Sequence, residues 1–236
     1  MTPDGSPDRV RDMFARIAPS YDLLNHLLSF QIDRYWRLMT TRRVAHILGR
    51  PDARVLDICC GSGDLLLALA GHARATVLGG DFCHPMLVEA RRKIARRRSR
   101  AALFEGDALG LPVGDGSLDL VTVAFGLRNL TDYAAGLAEM RRVLKPGGVA
   151  AILEFSMPPG RLLGPLYRFY SRRLLPAIGG AISGSPEAYA YLPESVARFP
   201  DAEELGGLMR RAGFTGVRWE PMTGGVVALH LGEAAA

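Results

Sequence analysis

Cysteine is scarce in this 236-residue chain, which holds only Cys59, Cys60 and Cys83. A small odd number excludes a disulfide framework. Two adjacent cysteines, with no histidine or second pair at zinc spacing, give no tetrahedral metal site. We read all three as small packing residues and expect no metal. Long apolar runs are missing as well. The longest uncharged stretch, Leu174 to Pro186, is interrupted by Pro176, Gly179, Gly180 and Gly184. Nothing approaches the roughly 20 apolar residues that a spanning helix needs. The first residues are polar and include Pro3, Asp4 and Gly5, unlike a secretory leader, so a cytoplasmic chain is expected. There are no internal repeats and no low-complexity linkers.

Acidic residues are absent from one segment, Arg91 to Arg100, which holds seven basic ones. The chain carries a formal net charge of +5 and would be slightly acidic without this block. Met86, Leu87, Ala90 and Ile94 share a helical face, which leaves the arginines on the others. The block is a solvated helix side or a contact for anionic headgroups. No aromatic residue interleaves with it, so no nucleic acid partner is expected.

What the chain does have is ordinary globular composition, 48% apolar and 22% charged, at a length suited to one α/β unit with additions. Residues 8–50 read as helices. Val10, Met13, Phe14 and Ile17 share one stripe; Tyr21, Leu24, Asn25 and Leu28 form the next; Trp36, Met39 and Val44 belong to a third. Pro51 closes this N-terminal cap, 1–50. From Arg54 onward, strands at 54–59, 75–80, 101–105, 118–124 and 149–154 alternate with helices near 64–72, 84–97 and 133–143. That alternation predicts a parallel sheet. Lys145-Pro-Gly-Gly148 reads as the turn feeding the fifth strand. An insertion at 161–195 breaks the pattern. A helix near 202–212 and an antiparallel pair at 214–221 and 225–231 complete the main unit, 51–236, and bring the strand count to seven.

Val55-Leu-Asp-Ile-Cys-Cys-Gly-Ser-Gly-Asp-Leu65 is the most informative segment. It reads as a buried strand, a glycine turn at Gly61 and Gly63, and a helix, which exposes backbone N–H groups to a polar ligand. A dinucleotide fingerprint would place a third glycine at position 66, where this chain has Leu66. A nucleoside-binding turn, as in S-adenosylmethionine (SAM) enzymes, instead needs acids at the ends of the next strands. Asp81 is placed to hold ribose hydroxyls, and Asp107 to accept from an adenine amino group. In an open α/β sheet the ligand lies outside the carboxyl ends of the strands. That puts Asp57, Asp81, Asp107, the segment after Ala124, and Glu154 around one rim.

Three further segments carry a resemblance to the ubiquinone/menaquinone biosynthesis C-methyltransferases, over about Val10 to Gly232. They are Phe14-Ala-Arg-Ile-Ala-Pro-Ser-Tyr-Asp-Leu-Leu-Asn25 with Trp36-Arg37, then Phe125-Gly-Leu-Arg-Asn129 with Asp132, then Glu154-Phe-Ser156 with Gly224-Gly-Val-Val-Ala-Leu-His230. The resemblance implies a class I SAM-dependent, Rossmann-like α/β fold with a mostly parallel seven-stranded sheet. It also implies methylation of a ring carbon on a prenylated quinol. It makes Ser62 the counterpart of a threonine in the glycine turn, and pairs Ala108 with Asp107 at the adenine. Ala124 stands where some ubiquinone-type relatives have a serine, which leans the expectation toward demethylmenaquinol.

The chemistry requires a nucleophilic ring carbon, and a phenol of pKa near 10 needs help to ionise. Arg128 is a candidate cation for the developing phenolate, and Asn129 could orient the ring oxygen. Asp22 or His26, from the N-terminal helices, is a candidate base. Arg128 as a salt-bridge partner and Asp22 as a helix brace are the competing structural readings. Tyr21, Asn25, Phe125 and Tyr189 are expected at the substrate. The insertion, with Leu162, Leu163, Leu166, Tyr167, Phe169 and Tyr170, and the arginine block are expected to rest on an anionic membrane at its inner face. Homo-oligomerisation is left open. Other readings are a small-molecule O- or N-methyltransferase, a nicotinamide oxidoreductase, a nucleic-acid methyltransferase and a non-catalytic SAM-binding protein. Leu66 and Asp107 speak against the nicotinamide enzyme. The nucleic-acid enzyme would want an Asn-Pro-Pro-Tyr type run where Phe125 to Asn129 stand.

Overall fold

The structure, a computed structural model, describes residues 7–156, 158, 173 and 186–235, without the side chains of 186–190. Three helices come first: α1 (Pro7–Leu28), α2 (Ile32–Arg43) and α3 (Ala45–Leu48). The first two apolar stripes fall on α1 alone, which continues through Pro19 and buries Val10, Met13, Ile17, Ala18, Leu24 and Leu28. Then β1 (Val55–Ile58), α4 (Asp64–Ala70), β2 (Val77–Asp81), α5 (His84–Arg97), β3 (Ala102–Glu105), β4 (Leu118–Ala124), α6 (Tyr133–Val143) and β5 (Leu144–Phe155) alternate. The chain ends with α7 (Pro186–Arg198), α8 (Ala202–Arg211), β6 (Phe214–Met222) and β7 (Val227–Ala234).

The sheet has seven strands in the order β3-β2-β1-β4-β5-β7-β6. The first five are parallel; β7 is antiparallel to both β5 and β6. This is the expected α/β architecture. β1 is buried at every residue and lies between β2 and β4. The chain winds one way from β1 and the other way from β4, so their carboxyl ends flank the switch point where open sheets form a crevice.

Two sequence expectations change. The fifth strand starts at Leu144, directly after α6, because Leu144 already pairs with Leu118. The Lys145–Gly148 turn is absorbed as an irregularity within the strand, with Gly147 at φ 74°. The 161–195 segment ends in helix α7, and its proposed apolar residues Leu162 to Tyr170 lie outside the described residues. None of the described helices is long and apolar enough to cross a membrane.

Candidate active site

The glycine turn is built by left-handed backbone at Cys59 (φ 50°), Gly61 (φ 54°) and Gly63 (φ 85°). Leu66 lies where the dinucleotide fingerprint has its glycine. It is fully buried, and a Cβ at Gly79 on β2 would come within 2.6 Å of its Cδ2. The small residue needed for close helix–strand packing therefore sits on the strand. After β4 the backbone turns again at Phe125 (φ 58°), and a Cβ at Gly126 would collide with that of Cys59. The two turns are thus in contact and form one floor.

Above this floor lies a cavity of about 1130 Å³, open space at its mouth included. Asp57, Gly61, Ser62, Asp81, Asp107 and Ala108 all line it, so these sequence-selected residues converge on one cavity. Gly63 is not in the wall; it caps α4 and packs against Ala90. Asp81 accepts from the backbone N–H of Gly61 at 2.8 Å and of Cys83 at 2.9 Å. Burial pushes its carboxyl up, and those amides pull it back. Asp57 is buried and accepts from Thr122 Oγ1 at 2.6 Å. Its Oδ2 has no hydrogen-bond partner among the described residues. Burial, against the Thr122 bond, pushes Asp57 up to about 7. Asp107 is exposed and accepts from Leu109 N–H at 2.9 Å. The Cys59 and Cys60 thiols are pushed well up, by burial first and then by Asp81 and Asp57, so they stay protonated and inert as nucleophiles.

Part of the wall is aromatic, with Phe125 backed by Trp36 and Phe155. Phe125 lies 5.9 Å from Trp36 and 4.7 Å from Phe155, centroid to centroid. Tyr21 and Phe14 reach the cavity from α1. Burial pushes the Tyr21 phenol up, despite the Arg128 guanidinium and the Asn25 amide nearby. Asn129 lines the cavity as well, donates to Phe125 O at 3.3 Å and accepts from Tyr191 OH at 3.2 Å. Tyr189 lies on α7, with its side chain outside the described residues.

Of the two readings of Arg128, the structure shows the salt-bridge partner. Its side chain is buried and its NH1 donates to Glu154 Oε1 and Oε2, at 3.2 and 3.1 Å, and to Phe125 O. It is absent from the cavity wall, and its guanidinium lies over the Phe155 ring at 5.2 Å. The cation that does line the cavity is Arg37 of α2, 5.8 Å from the Phe125 centroid. Its place beside Trp36 in the N-terminal signature was the only sequence signal.

Asp22 and His26 are outside the cavity wall too. Asp22 accepts from Ser62 Oγ on one oxygen and from Lys93 Nζ at 2.6 Å on the other. Lys93 also donates to Asp64 and is itself buried. Helix periodicity put Lys93 with the solvated arginines; in the fold it faces α1. His26 Nδ1 lies 2.7 Å from Asp33 Oδ2. Burial raises the Asp33 and Asp64 carboxyls. It is outweighed at Asp33 by Ser29 and Arg37, and at Asp64 by Arg37 and Lys93, so both end below their usual range. His26, Asp33 and Asp64 offer three ligand atoms within 4.8 Å of one another. The Arg37 guanidinium bonds Asp33 and approaches Asp64 to 3.7 Å, so it already supplies the positive charge there.

Comparison with known proteins decides the family. The ubiE/COQ5 methyltransferase family matches residues 3–234. The chain belongs to the ubiE/COQ5 methyltransferase family. Within it, the demethylmenaquinone methyltransferase of Thermus thermophilus is 50% identical over 94% of this chain and 99% of its own. The one from Deinococcus radiodurans is 45% identical over 95% and 92%. The fold alone extends further. A Thermotoga maritima SAM-dependent methyltransferase, titled a possible histamine N-methyltransferase, superposes with a TM-score of 0.66 at 20% identity, covering 94% of this chain and 98% of that one. This ubiE/COQ5 member therefore keeps a widely shared fold.

Proposed function

We propose that this protein transfers a methyl group from SAM to a ring carbon of a prenylated quinol, demethylmenaquinol being the preferred substrate. The observation that carries the reading is one cavity lined both by Gly61, Asp81 and Asp107 and by Tyr21 and Phe125, with Trp36 packed against Phe125. The buried Asp57 oxygen without a partner fits an ammonium such as SAM carries. SAM supplies a methyl already activated on a sulfonium. Asp81 holds the ribose hydroxyls, Asp107 with Ala108 the adenine edge, and Ser62 a polar contact in the glycine turn. Arg37 stabilises a developing phenolate, which is worth most in a water-poor site. Asn129, held by Tyr191, orients the ring oxygen, and Phe125 and Tyr21 hold the ring. Such positioning supplies about 7–11 kcal/mol of a barrier. Arg128 acts one step back: with Glu154 it braces the 125–129 turn. Asp22 and His26 brace α1 rather than accept the phenolic proton. Ala124 and the two demethylmenaquinone relatives favour the naphthoquinol. We place the enzyme in the cytoplasm, peripheral to the inner membrane face, with no nucleic acid partner.

The test is incubation with labelled SAM and a short-tailed demethylmenaquinone, with and without reductant. Only the reduced ring has a phenol to ionise, so label should enter the reduced form alone. Equal turnover of the oxidised quinone would sink the phenolate mechanism.

A further inference from the structure

We propose that the end of the molecule where α1, α5 and the α1–α2 turn meet is a docking surface for an anionic phospholipid bilayer. The inference deepens the proposed function and rests on it only for the reason a bilayer is visited. α1 and α5 lie side by side and run the same way. Cys83, at the start of α5, reaches Arg11 O at 3.6 Å, and Lys93, ten residues on, reaches Asp22. Their last turns therefore emerge at the same end.

That end is apolar at its tip. Leu23 is 65% exposed, Leu27 49%, and Phe30 in the turn 74%, with Tyr35 and Leu38 exposed on α2. These five are the large hydrophobic side chains exposed among the described residues. The exposed charge on α1 after Arg16 and on α2 is basic, with Arg43 at the far end of α2 paired to the exposed Glu220. Between residues 16 and 43 every exposed charged side chain is an arginine: Arg16, Arg34, Arg42 and Arg43. The two acids in that span, Asp22 and Asp33, are turned inward onto Lys93 and Arg37. Arg96 and Arg97 at the end of α5 and Arg98 just after it are exposed and make no ion pair among the described residues, nor does Arg34. A hydrophobic tip collared by arginine is the pattern that enters the headgroup–acyl boundary, where each basic residue gains from anionic lipid. The opposite faces of the same helices bring Phe14, Tyr21 and Arg37 to the cavity. A bilayer at this end would meet the enzyme beside the wall that receives the ring. The basic block at 91–100 thus ends beside the α1–α2 tip; the apolar residues of the insertion, Leu162 to Tyr170, lie outside the described residues.

The test is vesicle flotation of the full chain, at low salt, with phosphatidylcholine alone and with phosphatidylcholine containing 30% phosphatidylglycerol as a rough working fraction. We expect flotation with the anionic vesicles and little with the neutral ones. Arg96→Gln with Arg97→Gln should weaken it roughly 5-fold per arginine. Leu23→Ser with Leu27→Ser should weaken it more than about 10-fold. Both double variants should keep their melting temperature and their turnover of a soluble short-tailed quinol. They should lose turnover only of a long-tailed quinol held in vesicles. Wild-type flotation by both variants would overturn the proposal. So would a dimer in sedimentation velocity that the leucine variant dissolves while vesicle binding is absent, since the occupant would then be a second copy. Equal binding of single-stranded nucleic acid without vesicle binding would overturn it as well. Flotation without quinol methylation would leave this surface standing and remove the proposed activity.

Discussion

Asp57 lies in the cavity wall with one oxygen on Thr122 and the other without a partner among the described residues. Its pKa of about 7 stands above the unfolded value near 3.9, so the folded chain holds this proton more tightly. The resulting stability is fully present below the unfolded value and is lost as pH rises to about 7. Two outcomes are expected. Without SAM, Asp57→Asn should be more stable than wild type above pH 7 and lose that advantage in acid, as thermal melts across pH will show. With SAM, the ammonium favours the carboxylate, so wild-type affinity should weaken about tenfold per pH unit below 7 and level off above it. Calorimetry at several pH values reads this directly, and a flat profile would mean that Asp57 does not meet the ammonium. Arg37 invites the complementary substitution. Arg37→Gln should leave cofactor affinity near wild type and lower kcat about 100-fold, as loss of one electrostatic donor does elsewhere. Both substitutions should cost stability, Arg37→Gln by unpairing the buried Asp33 and Arg128→Gln by stranding Glu154 in the core, but only the first should lower kcat so far.

At the scale of elements, the question is what holds α1 and α2 onto the sheet. α1 has an apolar stripe, and its Met13, Ile17, Leu24 and Leu28 form a cluster with Tyr191 and Leu192 of α7. Each such side chain contributes about 1.5–3 kcal/mol when fully buried. The polar tie is Lys93, which joins Asp22 of α1 to Asp64 of α4. Breaking a buried pair leaves charge uncompensated, so Lys93→Met should cost about 3 kcal/mol. That is a fall of roughly 6–12 °C in Tm for a chain of this size. Hydrogen exchange should rise first in α1. Acid should act on the same elements. Asp33 and Asp64 are held below the usual carboxylate range, so their stabilisation is full above the unfolded value and is lost as pH falls through the folded one. Exchange in α1 and α2 should therefore accelerate below about pH 4, ahead of the sheet strands.

The whole molecule couples these parts, because the glycine turn that meets the cofactor also meets the helices above it. Ser62 lines the cavity and bonds Asp22; Asp81 lines it and ties Gly61 to Cys83. A ligand that binds only the folded chain stabilises it by about 2.7 kcal/mol at 100 times its Kd. SAM should accordingly raise Tm by roughly 5–10 °C. Asp81→Ala should erase that shift along with SAM binding. Retention of the shift would overturn the pocket assignment.

The strand–helix alternation, the glycine turn and the acids at successive strand ends could all be read from the chain, because each is a local pattern of a few residues. So could the three segments that point to the family. The sequence alone thus determined the sheet, the edge of it where the cavity opens and the class of chemistry. What it left undecided depends on partners far along the chain. Lys93 meets Asp22 across 71 residues, Arg128 meets Glu154 across 26, and Tyr191 meets Asn129 across 62. Periodicity could place Lys93 on a polar helix side, but only packing against α1 buries it. Of the two sequence readings of Arg128, only the fold shows the ion pair with Glu154, and only the fold brings Arg37 of α2 to the cavity wall. Charge and aromaticity are properties of residues, whereas facing and burial belong to the assembled fold.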